Sequence, residues 1–168
     1  APKSTISPTA FARLPIAKSS ERRHAIALRI LRMNCVTNAY AEIWHECFDP
    51  SFRDEAWTGG MLYEGRAELG AVSGSWSPDV PIRRASDRRQ AQLEIDALVA
   101  IALGITPDEL CTIYRTQFPV LYGYDKARDY FDQNGRLVPS SIVSKWRNGG
   151  GITSDLSSGD LVHRHPQS

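Results

Sequence analysis

Residues 94–121 read EIDALVAIALGITPDELCTIYRTQFPVL, and this stretch decides the fold of the chain. Its apolar residues recur at three- and four-residue spacing, which predicts an amphipathic helix. Gly104 suits the left-handed C-cap that would end this helix. Thr106 predicts the N-cap of a second helix, with Pro107 at its first position and Glu109 closing a capping box. The short break predicts a sharply bent αα-hairpin, and we expect it to be the packing centre of the domain.

This hairpin has two functional interpretations. A DNA-reading helix-turn-helix needs a small residue, a turn glycine and an apolar anchor, and Ala100, Gly104 and Leu110 follow in that order. However, the second helix begins with Asp108 and Glu109, whose carboxylates are repelled by phosphates. The sequence therefore favours a structural helical hairpin over a helix that reads base edges.

Composition limits the protein class. A chain of 168 residues is long enough for one well-filled core, and its 20 Lys plus Arg against 19 Asp plus Glu give a net charge of only +1. Any basic surface must therefore be local. The cysteines Cys35, Cys47 and Cys111 are odd in number and lack zinc spacing, which predicts a reducing, cytoplasmic location. No apolar leader or membrane-spanning run occurs, so we predict no membrane partner.

The chain divides into an arm, a domain and a tail. Residues 1–19 predict an irregular N-terminal arm, and residues 20–148 a helical domain in which 51–87 form a loop-rich insertion. Residues 149–168 predict a flexible tail whose two histidines are solvated. Because the chain starts without methionine and ends in this tail, we expect a fragment of a larger protein.

Further elements complete the predicted fold. Residues Ser20 to Phe48 contain no proline or glycine, and their apolar periodicity predicts one long core helix. Asn134-Gly135 between β-forming residues predicts a tight hairpin turn, and a last short helix follows Pro139. The predicted fold class is mainly α: a helical domain with an αα-hairpin, a glycine- and aromatic-rich loop insertion and a small β-hairpin.

Arginines supply the candidate nucleic-acid surface. The densest group is at residues 83–89, with four arginines within seven residues. A second group lies in the first turns of the helix predicted after Ser20 and consists of Arg22, Arg23, Arg29 and Arg32. These arginines would face phosphates, acidic side chains or solvent. In the insertion, Trp57 and Trp76 are candidates for stacking on bases, although anchoring of the loop is the favoured role. The candidate DNA contacts are Arg22, Arg23, Arg29, Arg83, Arg84, Arg88, Arg89, Lys145 and Arg147.

Two segments permit a resemblance to be named. EIDALV at 94–99 and LGITPDEL at 103–110 are similar to an acidic, Leu-Gly-Leu-Thr-type helical segment near the C-terminus of large bacterial adenine-N6 DNA methyltransferases and type IIG restriction-modification enzymes. Residues 113–121 and the later Tyr-Asp and Asp-Gln-Asn-Gly-Arg runs look like the same region of large phage-defence methylases. With the upstream segments 38–44 and 52–57, the resemblance covers residues 35 to 140.

The resemblance implies a C-terminal accessory or specificity portion that positions DNA by backbone contacts. Other domains of the parent protein would bind S-adenosylmethionine and transfer the methyl group. This chain has neither the glycine-bearing cofactor loop nor the Asn/Asp-Pro-Pro-aromatic run, and no glutamate has lysine two residues downstream as in a nuclease triad. We therefore assign no catalytic, cofactor or metal residue. The expected partners are double-stranded DNA and the remaining domains of the parent.

Two other functions remain open. In the first, the chain is a protein-interaction scaffold that docks on the parent's catalytic domain without touching DNA, as its small net charge favours. In the second, it is a small enzyme in which a cysteine nucleophile works with a histidine base, such as Cys47 with His45 or His24. His45 and Cys47 would point about 200° apart on a helix, which disfavours that pair.

Overall fold

The computed structural model describes residues 22–59, 63, 65–126, 130–148 and 163–164. The predicted mainly α fold is confirmed. The α-helices are α1 (Arg23–Asn34), α2 (Ala41–Cys47), α3 (Ala85–Ala102), α4 (Pro107–Gln117), α5 (Pro119–Lys126) and α6 (Ser140–Asn148), with 3₁₀ helices at Asn38–Tyr40 and Pro50–Asp54. The strands are β1 (Tyr130–Phe131) and β2 (His163–Arg164), which pair antiparallel.

The predicted ends of the chain fall almost wholly outside the described residues. This holds for the arm at 1–19 and for the tail at 149–168 except residues 163–164. Residues 163–164 form β2, which pairs with β1. Within the described part of the chain, no single helix is long and apolar enough to cross a membrane.

The prediction of one long helix from Ser20 to Phe48 is wrong. Helix α1 ends at Asn34, whose side-chain amide donates to the Ile30 carbonyl at 2.8 Å. An asparagine side chain that bonds the backbone in this way competes with the helical pattern. The chain then bends before α2, and the bend lets Trp44 pack, fully buried, into the core. Tertiary packing therefore overrides the absence of proline and glycine in this stretch.

The hydrophobic core lies between α1, α2, α3 and the loop-rich insertion. Its buried members are Leu28, Cys35, Trp44, Phe52, Leu69, Val80, Ile82 and Ala91. The insertion at 51–87 supplies four of them, Phe52, Leu69, Val80 and Ile82, so it is part of the core. The expectation that residues 94–121 form the packing centre is wrong, because helix α4 has no buried residue.

Two buried arginines of α1 hold the insertion in place. The Arg32 guanidinium donates to the carbonyls of Val80 at 2.7 Å, Leu69 at 2.6 Å and Glu68 at 3.1 Å. Arg29 forms ion pairs with Glu94 of α3 at 2.6 Å and with Glu55 of the insertion at 3.0 Å. These bonds satisfy backbone groups that a loop without regular structure would otherwise leave unpaired.

The predicted junction between α3 and α4 is confirmed. Gly104 has φ +73°, and the amide of Ile105 donates to the Ala100 carbonyl at 2.9 Å, as in a Schellman C-cap. Thr106 and Glu109 form the reciprocal bonds of the predicted capping box. The two helices are bent by 116° relative to each other. Local signals therefore specify this hairpin.

The Asn134-Gly135 turn also forms, with Gly135 at φ +73° and its amide donating to the Asp132 carbonyl at 2.9 Å. Beyond the turn, however, the predicted β-hairpin is reduced to one bridge between Phe131 and Leu137. The strand partner of β1 is β2 instead. A tight turn alone therefore does not extend the ladder.

Candidate nucleic-acid interface

An open cleft lies where helix α3 begins. Its volume is about 510 Å³, and it is lined by Arg83, Arg84, Ala85, Arg136 and Leu137. Three of these residues are arginines and none is acidic. We call it the arginine cleft.

The first wall of the arginine cleft is the segment that enters α3. The amide of Ile82 donates to the Arg32 carbonyl at 2.8 Å, which fixes this segment on the end of α1. Arg83 is exposed and donates to the Val36 carbonyl at 3.1 Å. Arg84 is the extended N-cap of α3, and its guanidinium lies over the Tyr63 ring, 5.1 Å from the ring centroid. Both cations are therefore held at the helix start.

The opposite wall is the turn at residues 132–136. The carboxylate of Asp132 accepts the amides of Asn134 and Arg136, each at 2.8 Å. The turn is fastened to α3 because the Ser86 amide donates to the Gly135 carbonyl at 3.1 Å. The Asn134 carbonyl also accepts a hydrogen bond from the guanidinium of Arg84, across the cleft. Arg136, which is exposed, is thereby carried to face the start of α3.

A buried polar cluster behind the cleft neutralises the acidic residue of the first helical turn. Asp87 accepts from the Tyr63 hydroxyl at 2.5 Å and from Arg66 at 2.8 Å. Burial and the bond to Asp87 raise the pKa of Tyr63, so its hydroxyl stays a donor. The Asp87 carboxylate is therefore buried and bound by Tyr63 and Arg66.

The electrostatics of the arginine cleft favour an anion. Helix α3 has 18 residues, and its N-cap provides no side-chain cap, so the positive end of the helix dipole lies beside three arginine residues. Arginine donates in a planar fork that matches phosphate and carboxylate oxygens. The arrangement is suited to holding a phosphate group.

No known family, curated protein or solved structure matches this chain. The likeness to adenine-N6 DNA methyltransferases thus depends on sequence segments alone.

The structure separates the predicted DNA contacts into different environments. The prediction for Arg29 is wrong, because its side chain is 1% exposed and bound to Glu55 and Glu94. A buried arginine requires an acidic partner. Acidic side chains were one of the alternatives expected for the arginines that follow Ser20. Arg88 also has a structural position, since it donates to the carbonyls of Met33 at 2.9 Å and Ile82 at 3.1 Å. It stabilises the end of α1 rather than projecting outward.

The remaining predicted contacts do not gather at the cleft. Arg22 and Arg23 are exposed at the start of α1. Contacts of Arg29 with Glu94 and of Arg88 with Met33 show that α1 and α3 run antiparallel, so that start lies at the end of the pair away from the cleft. The other three contacts are Arg89, which is half-buried, Lys145, which is exposed on α6, and Arg147, which is on α6 with its side chain outside the described part.

The two tryptophans anchor the insertion, which is the role the sequence favoured. The indole of Trp57 donates to the Ala67 carbonyl at 3.1 Å, and Arg66 covers its ring at 4.0 Å from the centroid. The indole of Trp76 donates to the Cys35 carbonyl at 2.8 Å. Both rings pack against the core. Their proposed stacking on bases has no support from these contacts.

Among the described residues, no group of three histidine, cysteine or acidic side chains is placed to hold a metal ion. The His45 ring contacts the Gly74 carbonyl at 3.3 Å, and within the same part of the chain no hydrogen bond joins a histidine to a cysteine.

Sequence reasoning missed Arg136 as a member of the site. The Asn-Gly signal locates the turn that carries it, but the bond between Gly135 and Ser86 spans 49 residues and leaves no local signal.

Proposed function

We propose that this chain is a non-catalytic accessory domain that holds double-stranded DNA by its backbone, in the C-terminal part of a bacterial DNA methyltransferase or restriction-modification enzyme. The observation that carries the proposal is the arginine cleft, where Arg83, Arg84 and Arg136 meet at a helix start without an acidic neighbour in the lining. In this proposal the protein acts in the cytoplasm, and S-adenosylmethionine binds elsewhere in the parent.

Backbone contact is the mode of DNA binding that these residues support. Arginines and helix N-termini bind phosphate oxygens, and such contacts position a protein without reading sequence. Helix α3 presents its N-terminal end to the cleft, an orientation in which a helix meets phosphate groups end-on. The acidic start of α4 disfavours α4 as a reading helix. Target recognition would then belong to other parts of the parent.

The test compares two double variants that remove the same charge. Arg84→Ala plus Arg136→Ala removes cations from the cleft, whereas Arg22→Ala plus Arg23→Ala removes them from the far end of α1. We expect the first to weaken duplex binding in fluorescence anisotropy at low salt by roughly tenfold or more, since each charge-assisted contact is worth more than 1 kcal/mol. The second should change affinity much less. Equal losses in both variants would contradict a localised interface.

A scaffold function is the second candidate, and the α4–α5 hairpin favours it. Phe118, Val120 and Leu121 are 49%, 66% and 52% exposed. Apolar side chains exposed together are typical of protein interaction sites. Val120→Asp plus Leu121→Asp should abolish docking on the parent's catalytic part, because it places charges on this apolar surface. Arg84→Ala plus Arg136→Ala should leave docking unchanged. Co-purification of the two parts of the parent distinguishes these outcomes.

A further inference from the structure

We infer that the arginine cleft is a preorganised site for a single phosphate group, and that Gly135 is its positioning residue. The inference extends the proposed DNA contact from a positive surface to a built site. A surface that attracts DNA only by charge depends on the number of cations. A built site also depends on how they are held.

One short turn sets two of the three arginines. Asp132 binds the amide of Arg136, and the Asn134 carbonyl binds the guanidinium of Arg84. The Gly135 carbonyl fastens the same turn to the Ser86 amide. The positions of Arg84 and Arg136 relative to each other therefore follow from where this turn sits on α3.

The turn can sit there only because residue 135 is glycine. A Cβ atom at Gly135 would lie 2.4 Å from the Ser86 hydroxyl oxygen and 2.7 Å from a ring carbon of Tyr63. Both neighbours are buried, so neither can swing away into solvent. A side chain at residue 135 must therefore lift the turn, and Arg136 with it, away from α3.

Gly104 provides a matched control. It has the same φ of +73° as Gly135, yet a Cβ atom there would meet nothing within 4 Å. Alanine at either position has the same unfavourable backbone conformation, but only at residue 135 does it clash. Neither substitution alters the charge of the protein.

The ligand chemistry is that of a phosphate group with oxygens free to accept from several arginine donors. The cleft volume of about 510 Å³ exceeds what one phosphate fills and leaves the group open on one side. The phosphate can therefore belong to a larger molecule. The DNA backbone and a free phosphate share this chemistry, and the experiment separates them.

The experiment measures two probes on the wild type, Gly135→Ala and Gly104→Ala. Inorganic phosphate is titrated by calorimetry, and it is also used to displace a labelled duplex, with chloride at matched ionic strength as reference. We expect phosphate to displace the duplex at clearly lower concentration than chloride. We expect Gly135→Ala to weaken both probes by roughly tenfold, equal to one lost charge-assisted hydrogen bond, and Gly104→Ala to leave them unchanged.

The outcomes separate this inference from the proposed function. Duplex binding that is equal in all three proteins would overturn the built site and keep the DNA-binding function. Phosphate binding without any duplex binding would keep the site and reject the function. If Gly135→Ala does not fold, displacement of the duplex from the wild type still tests the site. Phosphate that displaces the duplex no better than chloride at the same ionic strength overturns the inference.

Discussion

The insertion between α2 and α3 and the α4–α5 hairpin are held in opposite ways. The insertion has little regular structure, yet Leu69, Val80 and Ile82 are buried in the core. The α4–α5 pair is helical and α4 begins with a capping box, yet α4 buries no residue, and Phe118 is half exposed. The insertion depends on partners distant in sequence, whereas the α4–α5 pair depends on its capping box and on contacts between its own aromatic side chains.

The difference shows what buried arginines do in this protein. Arg32 donates to four carbonyls of the insertion, and Arg29 joins α1 to both Glu55 and Glu94. Burial lowers the pKa of Arg32, only partly offset by Asp87, which reflects the cost of keeping this charge inside. The hydrogen bonds from Arg32 to the four carbonyls offset that cost. Together Arg29 and Arg32 bind the insertion at residues 55–56, 68–69 and 79–80.

The largest loss of unfolding free energy is expected when the buried Arg29–Glu94 ion pair is broken. Arg29→Met leaves Glu94 buried without its cation, and breaking such a pair costs about 3–5 kcal/mol of unfolding free energy. Arg23→Met on the same helix removes an exposed charge and should cost about 0.5 kcal/mol or less. Urea unfolding of both variants measures the difference. Equal stability would mean that the buried pair does not hold the insertion.

Matched phenylalanines test the two regions directly. Phe52 is 1% exposed and Phe118 is 49% exposed. Phe52→Ala opens a cavity and should cost about 3–5 kcal/mol. Phe118→Ala removes a surface contact with Tyr114 and should cost about 1 kcal/mol or less. Thermal unfolding followed by circular dichroism compares them, and a large loss in Phe118→Ala would show that the hairpin is a second core.

A smaller effect is expected in acid. Burial acts to raise the pKa of Glu94, but hydrogen bonds from Thr58, Gln90 and Arg29 outweigh it and lower the pKa below 4.5. The unfolded state therefore binds the proton more readily, so Glu94 stabilises the fold above its unfolded pKa. This contribution is lost as pH falls through the folded pKa.

Urea unfolding across this acidic range measures the loss, with Glu94→Gln as the control. The variant should be less stable near neutral pH and should lose less stability on acidification. If the unfolding free energy falls equally with pH in both proteins, Glu94 is not the cause of the loss.

The sequence predicted the elements whose signals are local. Gly104, Thr106 and Glu109 form the caps that their spacing predicted, and the Asn134-Gly135 turn forms as well. It did not predict where the core lies, because periodicity shows that a helix has an apolar face but not which partner covers that face. The break after Asn34 accompanies the burial of Trp44, a tertiary contact that periodicity does not reveal.

The candidate site was predicted in part. Arg83 and Arg84 stand out by density, whereas Arg29 and Arg88 look identical to them in sequence and differ only in what surrounds them. Arg136 was missed because its position depends on the contact of the turn with α3. The sequence therefore shows how many arginines are close together in the chain, whereas tertiary contacts determine which of them are exposed on the same surface.

The salt dependence of duplex binding tests the central claim most directly. Each phosphate contact contributes a slope of about −0.9 to a plot of log affinity against log salt concentration. If the arginine cleft holds one backbone phosphate, the slope of Arg84→Ala plus Arg136→Ala should be shallower than that of the wild type by about 1, and that of Arg22→Ala plus Arg23→Ala should match the wild type. An unchanged slope in the cleft variant would contradict the account.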